Sequence, residues 1–484
     1  MSMIKMMMML MIQLVLIVAV LGWSQSSIII EKTDSCESLL PVELINEIDN
    51  YQAVVNRIID AVVNGSFKGR TWRELAGFVD DFGPRFTGTE TLERSIDYVI
   101  DRSKTLGLEN VHGEVAPVPR WIRGKESATL VSPRKKDLRM LGLGYSVGTP
   151  NEGITADAII VESFAELKRR ADEVAGKIVV YNQDFVSYGE TVIYRSSGAS
   201  EAAKYGALAV LIRSITPLSI YSPHTGMMSY EDNVRKIPAA CITIEDAQML
   251  GRLAARGKRL TIRLMMEAHQ LADTESRNVI AELKGSTKIN KTVVVSGHID
   301  SWDVGQGAMD DGAGAFVSWN SLVLLKALNL RPKRTIRAIM WTAEEMGIVG
   351  ADYYIKQHKH EEGDLQFVME SDYGTFTPLG LEANGRPEVI CILRRIMKIL
   401  SVMAPLEVTT PGTGPDIGGW INAGVPGASL LNKNERYFWF HHSDGDAMTV
   451  EDSGTLDMIT ALFAATSYIL ADISIDLPRQ APGN

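Results

Sequence analysis

The sequence predicts an α/β fold, a mixed central sheet with helices on both faces, interrupted by a smaller inserted unit. Three observations point to it. From about Asn278 onward, strand-like and helix-like runs alternate. Lys291–Ser296 (KTVVVS) is a near-continuous β-branched run, the pattern of a strand covered on both faces. A separate stretch, roughly 127–273, alternates strands and helices by itself and carries no cluster of histidine, cysteine and carboxylate residues.

The chain has 484 residues, enough for up to about three domains at about 150 residues each. Its 49 Lys+Arg against 59 Asp+Glu leave a net charge of −10, with 45% hydrophobic and 22% charged residues. That composition is globular and excludes a disordered, collagen-like or disulfide-framework chain. Without a basic excess there is no counterion-releasing surface for nucleic acid or for an anionic membrane.

Taken in order, Lys5 precedes the apolar run Met6–Leu21, which ends in Gly22, Trp23 and Ser24. A basic start, an apolar stretch and a small-residue exit describe a cleaved signal over residues 1–24, with a membrane anchor as the rival. No other window approaches the length of a membrane-spanning helix, so no stable anchor is expected after cleavage. Residues 25–45 lack a clear period and read as a propeptide or N-terminal arm. Helical periodicity begins at Tyr51 and returns over Leu92–Leu106, where Gly107 stops it. A strand follows over Val111–Val118. Inside the inserted stretch, Ala156–Val161, Lys177–Tyr181 and Ala207–Ile212 read as strands, and Thr243 with Asp246 opens a capped helix. Further on, a helix after Gly312 puts Phe316, Trp319, Val323 and Ala327 on one face. Arg334–Trp341 and Gln366–Met369 are strands, and Ser453–Leu470 is a closing apolar helix.

Cys36, Cys241 and Cys391 are odd in number, so at least one stays unpaired, and none has metal or redox spacing. Cys241 (IPAACITI) and Cys391 (EVICIL) read as small apolar core residues. Asn64-Gly65-Ser66 and Asn290-Lys291-Thr292 are glycan acceptors if the chain is exported.

The chemistry gathers after the β-runs. SGHIDSW carries His298 and Asp300, the glycine-rich turn GQGAMDDGAGA carries Asp310 and Asp311, and WTAEE carries Glu344 and Glu345. VMESD supplies Glu370 and Asp372, and FHHSDGD supplies His441 and His442. Each pair alone is ordinary: a capping Asp, a solvated helix start, an edge histidine. Delivered together to the carboxyl ends of α/β strands, where such sheets bind ligands, they would repel one another unless a divalent cation held them. The set therefore predicts a metal site. There is no GxSxG elbow for a serine nucleophile and no basic clamp beside the acids for phosphate chemistry. Asp416, in TTPGTGPDIGGW, reads as a helix cap, with lining of a substrate pocket as the other reading.

The order His-x-Asp, Asp-Asp-Gly, Glu-Glu, Glu-Ser-Asp, His-His resembles the co-catalytic two-zinc aminopeptidase and carboxypeptidase family. The phrases SGHIDSWDVGQGAMDDGAGAF, VMESDYGTF, AGVPGASLL and GPRFTGTETLERSIDYV extend the resemblance over nearly all of the mature chain. It implies a zinc exopeptidase domain from residues 46–126 and 274–484, with a protease-associated-like domain at 127–273. It implies two zinc ions per subunit: His298 and Asp372 on one, Glu345 and His442 on the other, Asp310 bridging, and a cis Asp310–Asp311 bond. His441 is left uncertain. Asp300 would orient the His298 ring, and Glu344 would act as general base on a metal-bridged water and then protonate the leaving amine. Asp444 departs from the family pattern, which puts the rim of the site in doubt. The implied protein is a secreted or lumenal, dimeric exopeptidase acting on dipeptides or short unblocked peptides. A broader zinc aminopeptidase and a catalytically silent binding protein on the same fold are the alternatives, the latter weakened because all five ligands and Glu344 are present.

Overall fold

The computed structural model describes residue 36 and residues 38–481. The expected signal sequence over 1–24 lies outside the described residues.

Local chemistry explains the first elements. The helix Glu90–Thr105 starts where the Thr89 side chain accepts the Leu92 N–H. Glu90 and Glu93 occupy its first turn and Arg102 and Lys104 its last, each favourable to the helix dipole. It ends before Gly107, at φ 75°, a conformation glycine adopts without cost. In the inserted stretch Thr243 caps the helix Ile244–Ala255 by accepting from Asp246 N–H, as its sequence pattern predicts.

Among the described residues there are two eight-stranded sheets. In the first, Glu109–Ile122, His269–Leu283, Arg334–Trp341, Lys288–His298, Leu365–Glu370, Gly427–Asn432, Pro378–Asn384 and Glu407–Thr409 lie side by side in that order. Its centre is parallel: Lys288–His298 pairs in parallel with both Arg334–Trp341 and Leu365–Glu370. His298 is opposite Trp341 and Ser296 is opposite Glu370, so the chain leaves three neighbouring strands at the same edge. The second sheet is built from strands lying between Glu126 and Met266. The long antiparallel pair Glu109–Ile122 and His269–Leu283 leads the chain into this region and back.

The helix Ala313–Ala327 differs from its expected one-sided face. It is buried all round from Ala313 to Leu325, while Ala327 is exposed. The reason is its place between the sheet and the helices Arg70–Phe82 and Ser453–Asp472, which leaves no solvent side. Ser453–Asp472 is long and apolar enough to cross a membrane, contrary to the expectation that no second such window exists, but 89% of that stretch is buried in the core.

Two expectations at the N-terminal side need correction. Residues 38–45 are not a loose arm throughout, because a helix runs from Val42 to Asn50 and Leu40 and Leu44 are buried. Cys391 is not simply a core residue: it forms a disulfide with Cys36, 355 positions away, while Cys241 is the free, buried cysteine. The bridge ties the chain just ahead of this helix to Pro387–Leu400. Cys36→Ser is expected to lower unfolding stability by about 2–4 kcal/mol, the usual worth of a native bridge closing a long loop. A urea midpoint equal to that of the unmutated protein would remove the bridge from the stabilising interactions.

Candidate metal centre

The strand Lys288–His298 ends on a fully buried His298. Its Nδ1 donates to the Asp300 carbonyl at 2.9 Å, which turns Nε2 toward the centre of the site. There Nε2 lies 3.2 Å from Asp372 Oδ1, 3.3 Å from Asp310 Oδ1 and 4.0 Å from Glu344 Oε2. On the other side, His442 Nε2 is 2.9 Å from Glu345 Oε2 and 3.3 Å from Asp310 Oδ2. Asp310 thus stands between the two groups. The Asp310–Asp311 bond is cis.

Neighbouring backbone fixes these positions. The Asp311 carboxylate accepts from His298 N–H at 2.9 Å and from Gly314 N–H at 3.2 Å. A Cβ on Gly314 would come within 2.0 Å of Ser371 O, so only glycine lets the Asp311 turn and the segment after Glu370 approach this closely. Asp300 does more than flank His298. Its carboxylate accepts from the backbone of Glu344 at 3.1 Å and of Glu345 at 3.4 Å, and from Thr87 Oγ1 at 3.0 Å. One carboxylate therefore sets both the His298 side and the glutamate pair.

The electrostatics are those of a crowded acid cluster. Burial, with the charges of Asp372, Glu345 and Asp300 added, pushes the Glu344 carboxyl well above the usual range, although His298 opposes it. Burial likewise lifts Glu345 to about 7 against the pull of His442. Burial works against protonation of His298 and His442, yet the facing carboxylates raise both well above an ordinary imidazole. Protons hold such a cluster together, and a divalent cation can take their place. His298 Nε2 and Asp310 Oδ2 are buried and make no hydrogen bond of good geometry. Imidazole nitrogen and carboxylate oxygen in this proportion are a donor set that suits zinc.

His441, undecided from sequence, stacks on His442 with ring centres 3.4 Å apart, and its Nε2 lies 3.6 Å from Asp310 Oδ2. Asp444 is exposed. Asp416 does not cap a helix: Gly418–Asn422 begins without a side-chain cap, and Asp416 N–H donates to buried Glu370 at 3.2 Å. Burial and the Glu370 charge raise the Asp416 carboxyl well above its usual range.

Two residues that sequence reasoning missed hold the Asp310 turn. Asp446 accepts the backbone N–H groups of Ala308, Met309 and Asp310 at 3.1, 2.7 and 3.1 Å. Arg85, fully buried, donates to the carbonyls of Ile299, Gln306 and Gly307 at 2.7–2.8 Å. Neither follows a β-run. The signal available for Asp446 was its place in the motif that carries the histidine pair, which says nothing about backbone amides elsewhere.

Comparison with known proteins agrees with this geometry. Residues 278–467 match the model of peptidase family M28. Carboxypeptidase Q of Xenopus laevis is 52% identical over 90% of this chain and 92% of its own length. The Homo sapiens protein of that name is 50% identical over 90% and 93%. The crystal structure of a peptidase M28 precursor from Shewanella amazonensis superposes with a TM-score of 0.85 at 31% identity, covering 89% of this chain and all but 1% of that one. A zinc aminopeptidase from Bacillus subtilis shares the fold, with a TM-score of 0.65 at 20% identity over 85% of this chain and 98% of its own. The chain belongs to peptidase family M28, on the branch of the carboxypeptidases Q.

Proposed function

We propose that this protein is a zinc-dependent exopeptidase that hydrolyses dipeptides or short peptides with unblocked termini, using two zinc ions per subunit. The observation that carries the reading is the meeting of His298, Asp310, Glu345, Asp372 and His442 around buried, unsatisfied donor atoms. His298 and Asp372 would hold one ion, Glu345 and His442 the other, and Asp310 both. When bound, zinc supplies Lewis-acid polarisation of the scissile carbonyl and makes water acidic enough to attack near neutral pH.

The remaining work falls to the chain. Glu344 is 17% exposed, against 9% or less for the five ligand side chains, so it is the acid that faces arriving substrate. Its carboxylate takes the proton of the attacking water and returns it to the leaving amine. Asp300 keeps it in place through the Glu344 amide. No side-chain nucleophile is used.

Residues 127–273 form an inserted, protease-associated-like unit in this reading, and residues 46–126 and 274–484 the peptidase domain. The leader-like start and the Cys36–Cys391 bridge support a secreted or lumenal protein, since disulfides persist in oxidising compartments. Asn64 and Asn290 are exposed and open to glycans. A homodimer is the assembly we assign.

The mature protein is expected to cleave a panel of unblocked dipeptides, to lose that activity on chelation and to regain it with zinc. Activity that survives complete removal of the metal would sink the mechanism. A folded protein that carries zinc yet leaves every dipeptide intact would remove the exopeptidase reading.

A further inference from the structure

The histidine pair sits on weak ground. Tyr437–Phe440 is a single short helical turn, and His441 and His442 follow it outside any strand. His442 has φ +58°, a left-handed conformation that a non-glycine residue keeps only where its surroundings hold it. Much of that support comes from the unit that carries the second sheet. Thr216 Oγ1 donates to the Phe438 carbonyl. His224 Nδ1 lies 2.6 Å from the His441 carbonyl, which can only accept, so that nitrogen carries the hydrogen. Thr225 N–H donates to the His442 carbonyl at 2.9 Å, and His442 Nδ1–H returns a bond to the Thr225 carbonyl at 3.2 Å. Tyr188 stacks on Phe438 with ring centres 4.7 Å apart.

This loop is itself anchored. His224 N–H donates to Ser214 Oγ at 2.9 Å, and Thr225 Oγ1 donates to the Gly142 carbonyl at 2.8 Å. Ser214 follows the strand Ala209–Arg213, and Gly142 ends the strand Met140–Gly142. His224 and Thr225 are buried. The path runs from the second sheet, through one loop, to the ring of His442. With its Nδ1 hydrogen committed to Thr225, His442 presents the Nε2 lone pair to the space shared with Glu345 and Asp310.

We propose that the loop 214–227 of the second-sheet unit is the outer wall of the metal centre, with His224 and Thr225 as positioning residues for His442. The proposal rests on the reading of His442 as a zinc ligand. It makes the unit at 127–273 part of the machinery at one of the two ions, rather than a cover beside it. Orientation of a ligating ring by its second nitrogen is worth about 10–100-fold in metal affinity, and the His224 bond supports the backbone on which that ring stands.

The test uses the full mature chain, stripped of metal and titrated with zinc against a competing chelator dye. Unmutated protein is expected to take two ions. His224→Leu, which deletes the donor, is expected to keep one ion at normal affinity and weaken the other by about 10–100-fold, with kcat falling at limiting zinc and KM unchanged. His224→Asn is expected to restore affinity, because its side-chain N–H reaches the place of Nδ1–H. Two ions held by His224→Leu at the unmutated affinity would overturn the proposal. So would equal losses in the Leu and Asn variants, which would mark a packing effect. If the Leu variant does not fold, Thr216→Val decides: a weakened second ion supports the proposal, and unchanged affinity overturns it. Unmutated protein that binds no zinc would instead bring down the proposed function, and this inference with it.

Discussion

Glu344→Gln is expected to lower kcat by about 10²–10⁴-fold, the usual worth of a positioned general base, while zinc content stays at the unmutated level. The amide is isosteric with the carboxylate, so the Asp300 bond to the Glu344 backbone remains and the loop keeps its shape. What it cannot do is accept a proton. Glu344 is also set apart from its neighbour by geometry. Glu345 points at His442, 2.9 Å away, whereas Glu344 comes no closer than 4.0 Å to His298 and keeps a face toward solvent. Removing a base that acts only as bonds to hydrogen change should spare KM. Metal analysis and steady-state kinetics on one preparation separate the outcomes. Loss of zinc would make Glu344 a ligand, and retained turnover would move the base elsewhere. Glu345→Gln is the companion variant, expected to lose an ion as well as activity.

The residues of the candidate site were legible as a group because their chemistry is local. His298, Glu344, Glu345, Glu370 and Asp372 lie at or directly after three adjacent strands, and β-branched runs announce those strands. The parallel centre of the sheet then delivers them to one edge. What escaped was carried by contacts between distant parts of the chain. Cys391 looked like its apolar neighbours in EVICIL, and nothing in the sequence pairs it with Cys36. Ala327 continued a helical face that in three dimensions ends one turn earlier, where the helix emerges from between its neighbours. Asp416 had the spacing of a cap, yet its partner is a buried glutamate 46 positions away. Arg85, His224 and Asp446 act on backbone atoms, and backbone atoms leave no trace in residue type. The candidate ligands of such a site can be picked out along the chain, whereas the residues that hold their loops still appear only in the fold.

Asp446→Ala should therefore cost as much as loss of a ligand, although Asp446 touches no substrate. Its carboxylate accepts three successive N–H groups across the turn that carries Asp310, and burial has lifted its own carboxyl to about 7. Stripping it leaves those buried donors unmatched at about 1–3 kcal/mol each. It also removes the strongest of the acidic charges that balance Arg85, which burial already lowers to about 10 and which Asp446 helps keep protonated. Partial filling by water reduces the total, and a loss of about 3–5 kcal/mol is expected, as for a buried pair deprived of one member. Asp446→Asn refines the test. Its oxygen can still serve Ala308 and Met309, but its NH₂ group would face the Asp310 N–H, donor against donor. That variant should keep more of the fold than the alanine and still misplace the Asp310 carboxylate between His298 and His442. Urea unfolding measured with and without zinc distinguishes the two effects, because an ion that binds only the folded chain adds stability in proportion to its affinity. Alanine is expected to lower both curves, and asparagine chiefly to shrink the gap between them. An asparagine variant with the full zinc-dependent gap would show that the Asp310 turn keeps its shape without Asp446.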